Sequence, residues 1–424
     1  MNRMGQTLVQ KILARASGRG HVDEGEIVWA RPDLITVPEV SFPAYVKRLR
    51  DIGITRFVGA ERIAVVIDHE VPVHSQAGAE RNRLTRKLAG EMYVGHLFDG
   101  EGITHPLVVE RGLVSPGMFV VGADTHTPGI GGAGALAMPF GMEITTPMAR
   151  GDIWLRVPGT IRVHVSGRLR AGVAARDIVL AAMRQIDDEM ASYRVIEYVG
   201  DGIAALSVAE RMTIAGLSID TGAEAGIVAA DAACVEALRA MGARDPQPLA
   251  GDADAAVFAE LHIDAATLGP QVSEPPSPTH VRAVGELADV RIDHAYIGSC
   301  ASGTLAELRA AASLLAGRRV HAGVQLLVIP ATRRIYEAAM ADGTLAALMR
   351  AGAQLAPPTC GPCFGGLAQL DVGEVRISTS TRNDPGRMGS REARIYLASA
   401  LTVAASAVTG RITDARELLA AAAP

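Results

Sequence analysis

The chain is 424 residues long, 49% hydrophobic and only 4% aromatic, with 45 glycines and a formal charge of −5. That length fits two or three domains with sizeable cores, and the glycine-rich, aromatic-poor profile leans towards α/β architecture. The acidic balance argues against a nucleic-acid or anionic-membrane partner, and four cysteines are too few for a disulfide scaffold, which fits a reducing cytoplasm. No apolar h-region opens the sequence and no run of about 20 apolar residues interrupts it, so neither a secretory leader nor a membrane span is expected.

In chain order, Leu8, Val9, Ile12 and Leu13 fall at helical spacing and predict an amphipathic helix over 7–17. A further helix is predicted near 42–52. Ile63-Ala64-Val65-Val66-Ile67 reads as a buried strand running into Asp68-His69. A charged helix over 76–92 follows, and then a second buried strand over 118–121 that runs into Asp124-Thr125-His126. The run Gly129 to Gly134 matches G-x-G-x-x-G, yet the five residues Asp124 to Pro128 stand between it and the strand segment, and no acid-ended strand follows about 20 residues later. Its glycines are better explained by main chain passing close to a cofactor or substrate.

Residues 161–166 alternate apolar and polar and predict a strand. Helices are predicted over 176–187 and 207–217, the second opened by Ser207 and Glu210 as a capping box. Four prolines in 269–280 mark a linker or domain crossing. Beyond it, a strand over 294–297 ends at Cys300, a helix spans 304–316, and a strand over 324–329 follows. A strand over 375–378 then leads to Arg382 and Arg387. Polar motifs thus repeatedly follow short buried strands, where open α/β sheets gather their ligands.

Three groups of residues carry chemistry. Cys360-Gly361-Pro362-Cys363, with Cys300 upstream, offers three thiolates among glycines and prolines. That set suits a [4Fe-4S] cluster with one iron free of protein. A redox C-x-x-C pair, half of a zinc site, or buried packing cysteines compete with this reading. Cys234 sits in a plain helical context and reads as packing. Asp68-His69 and Asp124-Thr125-His126 are acid–imidazole pairs suited to proton transfer, and His74 lies near the first. Arg382 and Arg387 flank a tight turn and suit a dicarboxylate.

Together with Arg211-Met212-Thr213-Ile214 and Ile297-Gly298-Ser299-Cys300, these motifs resemble the aconitase superfamily, specifically the large subunits of 3-isopropylmalate dehydratases, over nearly the whole chain. The resemblance implies three α/β subdomains around a central [4Fe-4S] site, two within 1–280 and the cysteine-bearing third within 281–424. It implies a cytoplasmic hydro-lyase of leucine biosynthesis that dehydrates and rehydrates a 2-hydroxy dicarboxylate. Homoaconitate, methylmalate and dimethylmalate enzymes are its siblings, and a zinc, redox or RNA-binding protein on the same fold is a rival of another class. Cys300, Cys360 and Cys363 would hold the cluster, and His69, supported by Asp68, would protonate the departing hydroxyl. Asp124, His126 and Glu224 would position water, while Arg382, Arg387 and Ser302 would contact substrate. The swivel domain of single-chain aconitases has no counterpart here, so the resemblance implies a small swivel-domain subunit in trans, as a heterodimer. The sequence departs from the family at Ala301-Ser302, where Thr-Asn is usual, and at Thr304, where isopropylmalate enzymes commonly carry arginine. Asp220 and Thr381 stand where aconitases have asparagines.

Overall fold

The structure, a computed structural model, describes residues 5–420. Three largely parallel sheets carry the architecture. The N-terminal sheet has the order His96–Asp99, Ile63–Ile67, Leu34–Pro38, Phe119–Gly122, Leu136–Pro139, and every pair in it is parallel. Its four strands other than the edge strand His96–Asp99 are buried on both faces, as parallel sheets require. Alternation along each strand divides the side chains between two cores. Ile35, Val37, Ile63, Val65 and Phe119 enter one, and Leu34, Ala64, Val120 and Ala137 enter the other.

The middle sheet is also parallel, in the order Ala225–Val228, Arg194–Val199, Gly159–Ser166, Ala259–Asp264. The predicted alternation over 161–166 is present, but its polar side opens to water only towards Ser166. Arg162 is buried there against Glu197 at 3.1 Å. The C-terminal sheet has seven strands, with His294–Ile297 between Val375–Ser378 and Gln325–Val328. The proline-rich stretch is more than a linker. It holds the strand Gln271–Ser273, which pairs with Val281–Ala283 and with Arg394–Ala398. A two-stranded antiparallel ribbon, Ile27–Ala30 with Ile153–Arg156, sets Trp29 opposite Trp154.

The helices follow their sequence signals closely. Leu8–Ala16 and Val208–Leu217 both open on the capping boxes their sequences encode. The helix predicted over 176–187 ends at Met183, because a separate turn begins at Asp188 with Asp187 as its cap. The glycine run lets main chain pack on main chain. It forms a buried 3₁₀ segment, Thr127–Ala133, pressed against two other backbones. A Cβ on Gly131 would strike the Gly226 carbonyl, and one on Gly132 would strike the Met212 amide.

Candidate active site

The N-terminal sheet supplies the acid–base groups from its carboxyl ends. Glu39 directly follows Leu34–Pro38 and is fully buried. Its carboxylate accepts the backbone N–H groups of His69 (2.9 Å), Glu70 (2.8 Å) and Asp68 (3.2 Å). Three charge-assisted bonds thus fix the turn that follows Ile63–Ile67. Asp68 accepts both the N–H and the hydroxyl of Thr104, at 2.7 and 2.8 Å, and its other oxygen lies 2.7 Å from His69 Nδ1. Nδ1–H therefore points at Asp68 and leaves Nε2 facing the recess, 3.7 Å from Asp124. Burial opposes a charge on His69, but Asp68, Cys360 and Asp124 outweigh it and hold the imidazole well above the usual histidine range.

Asp124 receives His105 Nε2 at 2.9 Å and the His126 N–H at 2.8 Å. Burial raises its pKa, yet His105 and His69 draw it well below the ordinary carboxylate value. His126 Nε2 lies 3.2 Å from Asp220, and that carboxylate, against the cost of burial, keeps the imidazole easier to protonate. Three acid–imidazole pairs therefore meet here. The sequence reading found one of them, Asp68–His69, and paired Asp124 with His126, whereas Asp124 takes His105 and the His126 ring takes Asp220. It passed over His105, a lone histidine on the helix Thr104–Glu110, and it took Asp220 for a departure from the family pattern.

The C-terminal sheet brings the sulfurs. After His294–Ile297 the backbone bends at Ser299, whose φ of 91° is rare for a residue with a side chain. Thr379 holds the bend. Its hydroxyl accepts the Gly298 N–H at 2.8 Å, and its carbonyl accepts the Ser299 hydroxyl at 3.0 Å. Cys300 follows. Cys360 and Cys363 lie on the turn Gly361–Phe364, and the Cys360 N–H donates to the Asp68 carbonyl at 2.8 Å. The Thr359 hydroxyl donates to that same carbonyl at 2.8 Å. The cysteine loop is thus bonded directly to the acid–base turn. Cys363 is held well below the usual thiol pKa, first by Cys360 and then, against burial, by Arg387 and Thr381.

Cys300, Cys360 and Cys363 line one recess with Asp68, His69, His105, Asp124, His126, Thr381 and Arg387. Cys234 is buried elsewhere. Among the described residues, the three sulfurs do not all lie within 4.8 Å of one another, so the trio is not drawn together as it would be around a single tetrahedral zinc, where thiolates sit about 3.8 Å apart. Tyr296 supports a cluster. Its hydroxyl is fully buried with no partner, and its ring folds over Gly298, where a Cβ would fall 2.5 Å from that oxygen. An unpaired donor behind sulfur ligands suits a group whose sulfurs accept hydrogen bonds. Glu39, Asp68 and His69 also lie close enough to hold an ion, but their atoms are spent on one another and on backbone N–H groups.

Other expected residues are placed differently. Arg387 lines the recess and donates Nε–H to the Cys363 carbonyl at 3.0 Å. Arg382 is bidentate to Asp384, at 2.8 and 3.1 Å, so its fork is occupied. Ser302 does not face the recess. It is buried, donates to Glu307 at 3.1 Å and lines an apolar crevice on the other side of Cys300. Thr304 is bound to the same Glu307 and caps the helix Leu305–Leu315. Glu224 is outside the recess as well. It sits at the start of Ala225–Val228, its N–H on the Arg194 carbonyl, and burial alone raises its pKa. The turn Ser218–Thr221 instead carries Asp220 to His126. His74 is exposed.

Comparison with known proteins agrees with this geometry. The pattern of the aconitase family (aconitate hydratase) matches residues 10–289 and 282–410. The chain is 42% identical over 419 residues to a Methanopyrus kandleri protein named 3-isopropylmalate dehydratase large subunit 1, spanning 98% of this chain and 100% of the relative. A Nitratidesulfovibrio vulgaris protein named 3-isopropylmalate dehydratase large subunit is 41% identical, covering 96% and 99%. A Moorella thermoacetica protein of the same name is 38% identical, covering 98% and 100%. In fold, the holo-form of aconitase X from Thermococcus kodakaraensis superposes with a TM-score of 0.52 at 12% identity, covering 88% of this chain and 89% of that one. With its sheets, its converging cysteines and its end-to-end similarity to these large subunits, the chain belongs to the aconitase family.

Proposed function

We propose that the chain is the large subunit of a cytoplasmic [4Fe-4S] hydro-lyase that interconverts 3-isopropylmalate and 2-isopropylmalate by removing and returning water. One arrangement carries this reading. Three cysteines from the C-terminal sheet line a single recess with the pairs Asp68–His69 and Asp124–His105 and with His126, which Asp220 backs from outside it.

Cys300, Cys360 and Cys363 hold the cluster, which when bound supplies a Lewis-acid iron for the substrate hydroxyl and a carboxylate. The rest falls to protein groups. His69, charged and aimed by Asp68, gives its Nε2 proton to the departing hydroxyl, which leaves as water. Asp124 stays ionised and orients the hydroxyl and water hydrogens, with His105 fixing its carboxylate. His126, backed by Asp220, presents a second donor. Arg387 takes a substrate carboxylate, and Arg382 joins it by exchanging Asp384 for the ligand. The base that removes the carbon-bound proton is not among these residues. We assign it to a small swivel-domain subunit acting in trans, in keeping with the large-subunit names of the relatives. The cytoplasmic assignment rests on the four cysteines being too few for a disulfide scaffold; no described helix is long and apolar enough to cross a membrane.

The test is iron and acid-labile sulfide per chain after anaerobic purification. About four of each is expected, falling to about three irons in air, as an open-corner cluster does. Cys300→Ser removes the bound iron if the cluster reading is right and leaves metal content unchanged if Cys360 and Cys363 act as a redox or zinc pair. Adding the small subunit then allows 3-isopropylmalate to be compared with methylmalate, dimethylmalate and homoaconitate. Thr304 is committed to helix capping rather than to substrate, so that comparison decides the side group.

A further inference from the structure

The C-terminal sheet buries Ala295, Leu326 and Ile377 on its helix-covered face. The alternate residues make a largely polar row on the other. Pairing sets His294 beside both Gln325 and Arg376, and Leu327 beside Gln354, so these five side chains share that face. Leu367 and Ala368, from the segment that follows Cys363, complete a cleft of about 270 Å³ over the row. The cleft shares no lining residue with the recess. Gln325, Gln354 and Ala368 are exposed at its edge, whereas Arg376 is only 2% exposed.

Arg376 is short of partners. Arginines are almost never fully buried unless paired, and the other buried arginines of this chain follow that rule. Arg162 binds Glu197 at 3.1 Å, Arg211 binds Asp231 at 2.6 Å, and Arg176 donates to the carbonyls of Thr379 and Ser380. Arg376 has the Ala368 carbonyl at 2.7 Å and the Met388 sulfur at 3.7 Å, while its buried Nε–H has no partner. Glu374 is turned to His294 instead, at 3.1 Å. Burial pushes the Arg376 guanidinium down to about 10, against the pull of Tyr296 and Glu374. An anion in the cleft would relieve that cost and take the free donor.

The lining selects the anion. Among the described residues, none that lines the cleft is acidic, and Arg376 is its one permanent cation. One guanidinium matches one negative charge. A phosphate or a dicarboxylate brings a second charge that the two glutamine amides do not neutralise. Leu327, Leu355 and Leu367 supply apolar walls. The volume lies below the range of about 300–1,000 Å³ that holds drug-sized ligands, which excludes a nucleotide. We propose that this cleft is a second binding site, for a small monocarboxylate with a short apolar stem, whose carboxylate accepts the Arg376 Nε–H. The bound acid touches Leu367, which packs in turn against Gly361, between Cys360 and Cys363. The site therefore lies against the back of the cysteine loop.

Isothermal titration of the intact, anaerobically purified chain with 3-methylbutanoate tests this, with 3-methylbutanamide and inorganic phosphate as comparisons. One site with a dissociation constant on the order of 1 mM or tighter is expected for so small a ligand. The neutral amide and phosphate should each bind about 10-fold more weakly or worse, the share of one charge-assisted hydrogen bond. Arg376→Met keeps the apolar stem of the side chain and should weaken the acid about 10-fold or more. Gln354→Glu, at the exposed edge, should weaken it through like-charge repulsion. Circular dichroism checks that each variant is folded, and Gln354→Glu decides if Arg376→Met is not. The absence of binding, or binding indifferent to the deciding substitution, as attachment at Arg387 in the recess would be, overturns the proposal. So does phosphate binding as tightly as the acid.

Discussion

At the scale of single residues, the site depends on groups that never touch the recess. Glu39 satisfies three backbone N–H groups at once, and no other residue type reaches all three with two accepting oxygens. Glu39→Gln replaces one acceptor with a donor and leaves a buried N–H facing another N–H. We expect a loss of about 2–3 kcal/mol in chemical denaturation, the cost of an unpaired buried polar group, with the apparent pKa of His69 changed in NMR titration. Tyr296 predicts an asymmetry. Its unpaired hydroxyl contributes nothing to the metal-free chain, so Tyr296→Phe should leave that form's melting temperature unchanged or slightly raised. In the iron-loaded chain the same substitution should lower the melting temperature, and equal effects in both forms would show that the hydroxyl has no sulfur acceptor.

At the scale of elements, two contacts between segments carry the fold. The first is the glycine segment Thr127–Ala133 lying on Val208–Leu217 and Ala225–Val228. Gly131→Ala and Gly132→Ala force backbone against backbone with no flexible side chain to yield. Each should cost about 3 kcal/mol or more in thermal or chemical unfolding, as overpacking against rigid neighbours does. The second contact is Asp177, which accepts the Ala174 N–H at the start of Ala175–Met183 and the Gln271 N–H of the crossing into the C-terminal sheet, both at 2.7 Å. Burial raises its pKa from 3.8 to about 7, against the pull of those N–H groups and Arg176. The folded state therefore binds this proton more tightly than the unfolded chain. Its contribution is complete below pH about 4 and is lost as pH rises to about 7 and beyond. Stability at pH 8 relative to pH 6 should consequently improve in Asp177→Asn, measured by denaturant midpoints at both pH values. How far the sequence reveals such features depends on whether the signal is local. Caps such as Ser207 with Glu210, and apolar runs such as 63–67, are local and legible. Leu34–Pro38 is not, because prolines at 32 and 38 disguise a central strand, and with it Glu39 is overlooked. Asp220 is harder still. Its partner His126 is 94 residues away, and no periodicity links them.

At the scale of the whole molecule, the recess is an assembly of two sheets. Its sulfurs come from the last third of the chain, and its acid–base groups come from the first. A ligand bridging such parts stabilises the folded state by mass action. Removing the iron–sulfur group with a chelator should lower the melting temperature by several degrees, and Cys300→Ser should start from that lower value without responding to the chelator. The bond from the Thr359 hydroxyl to the Asp68 carbonyl spans 291 residues. In synthesis, the acid–base turn therefore leaves the ribosome long before the loop that will close over it. At roughly 5–20 residues per second the interval is on the order of 15–60 seconds. Throughout that time a nascent chain carries His69 and Asp124 without Cys360, so a cluster held by Cys360 would be loaded among the last events in the protein's maturation.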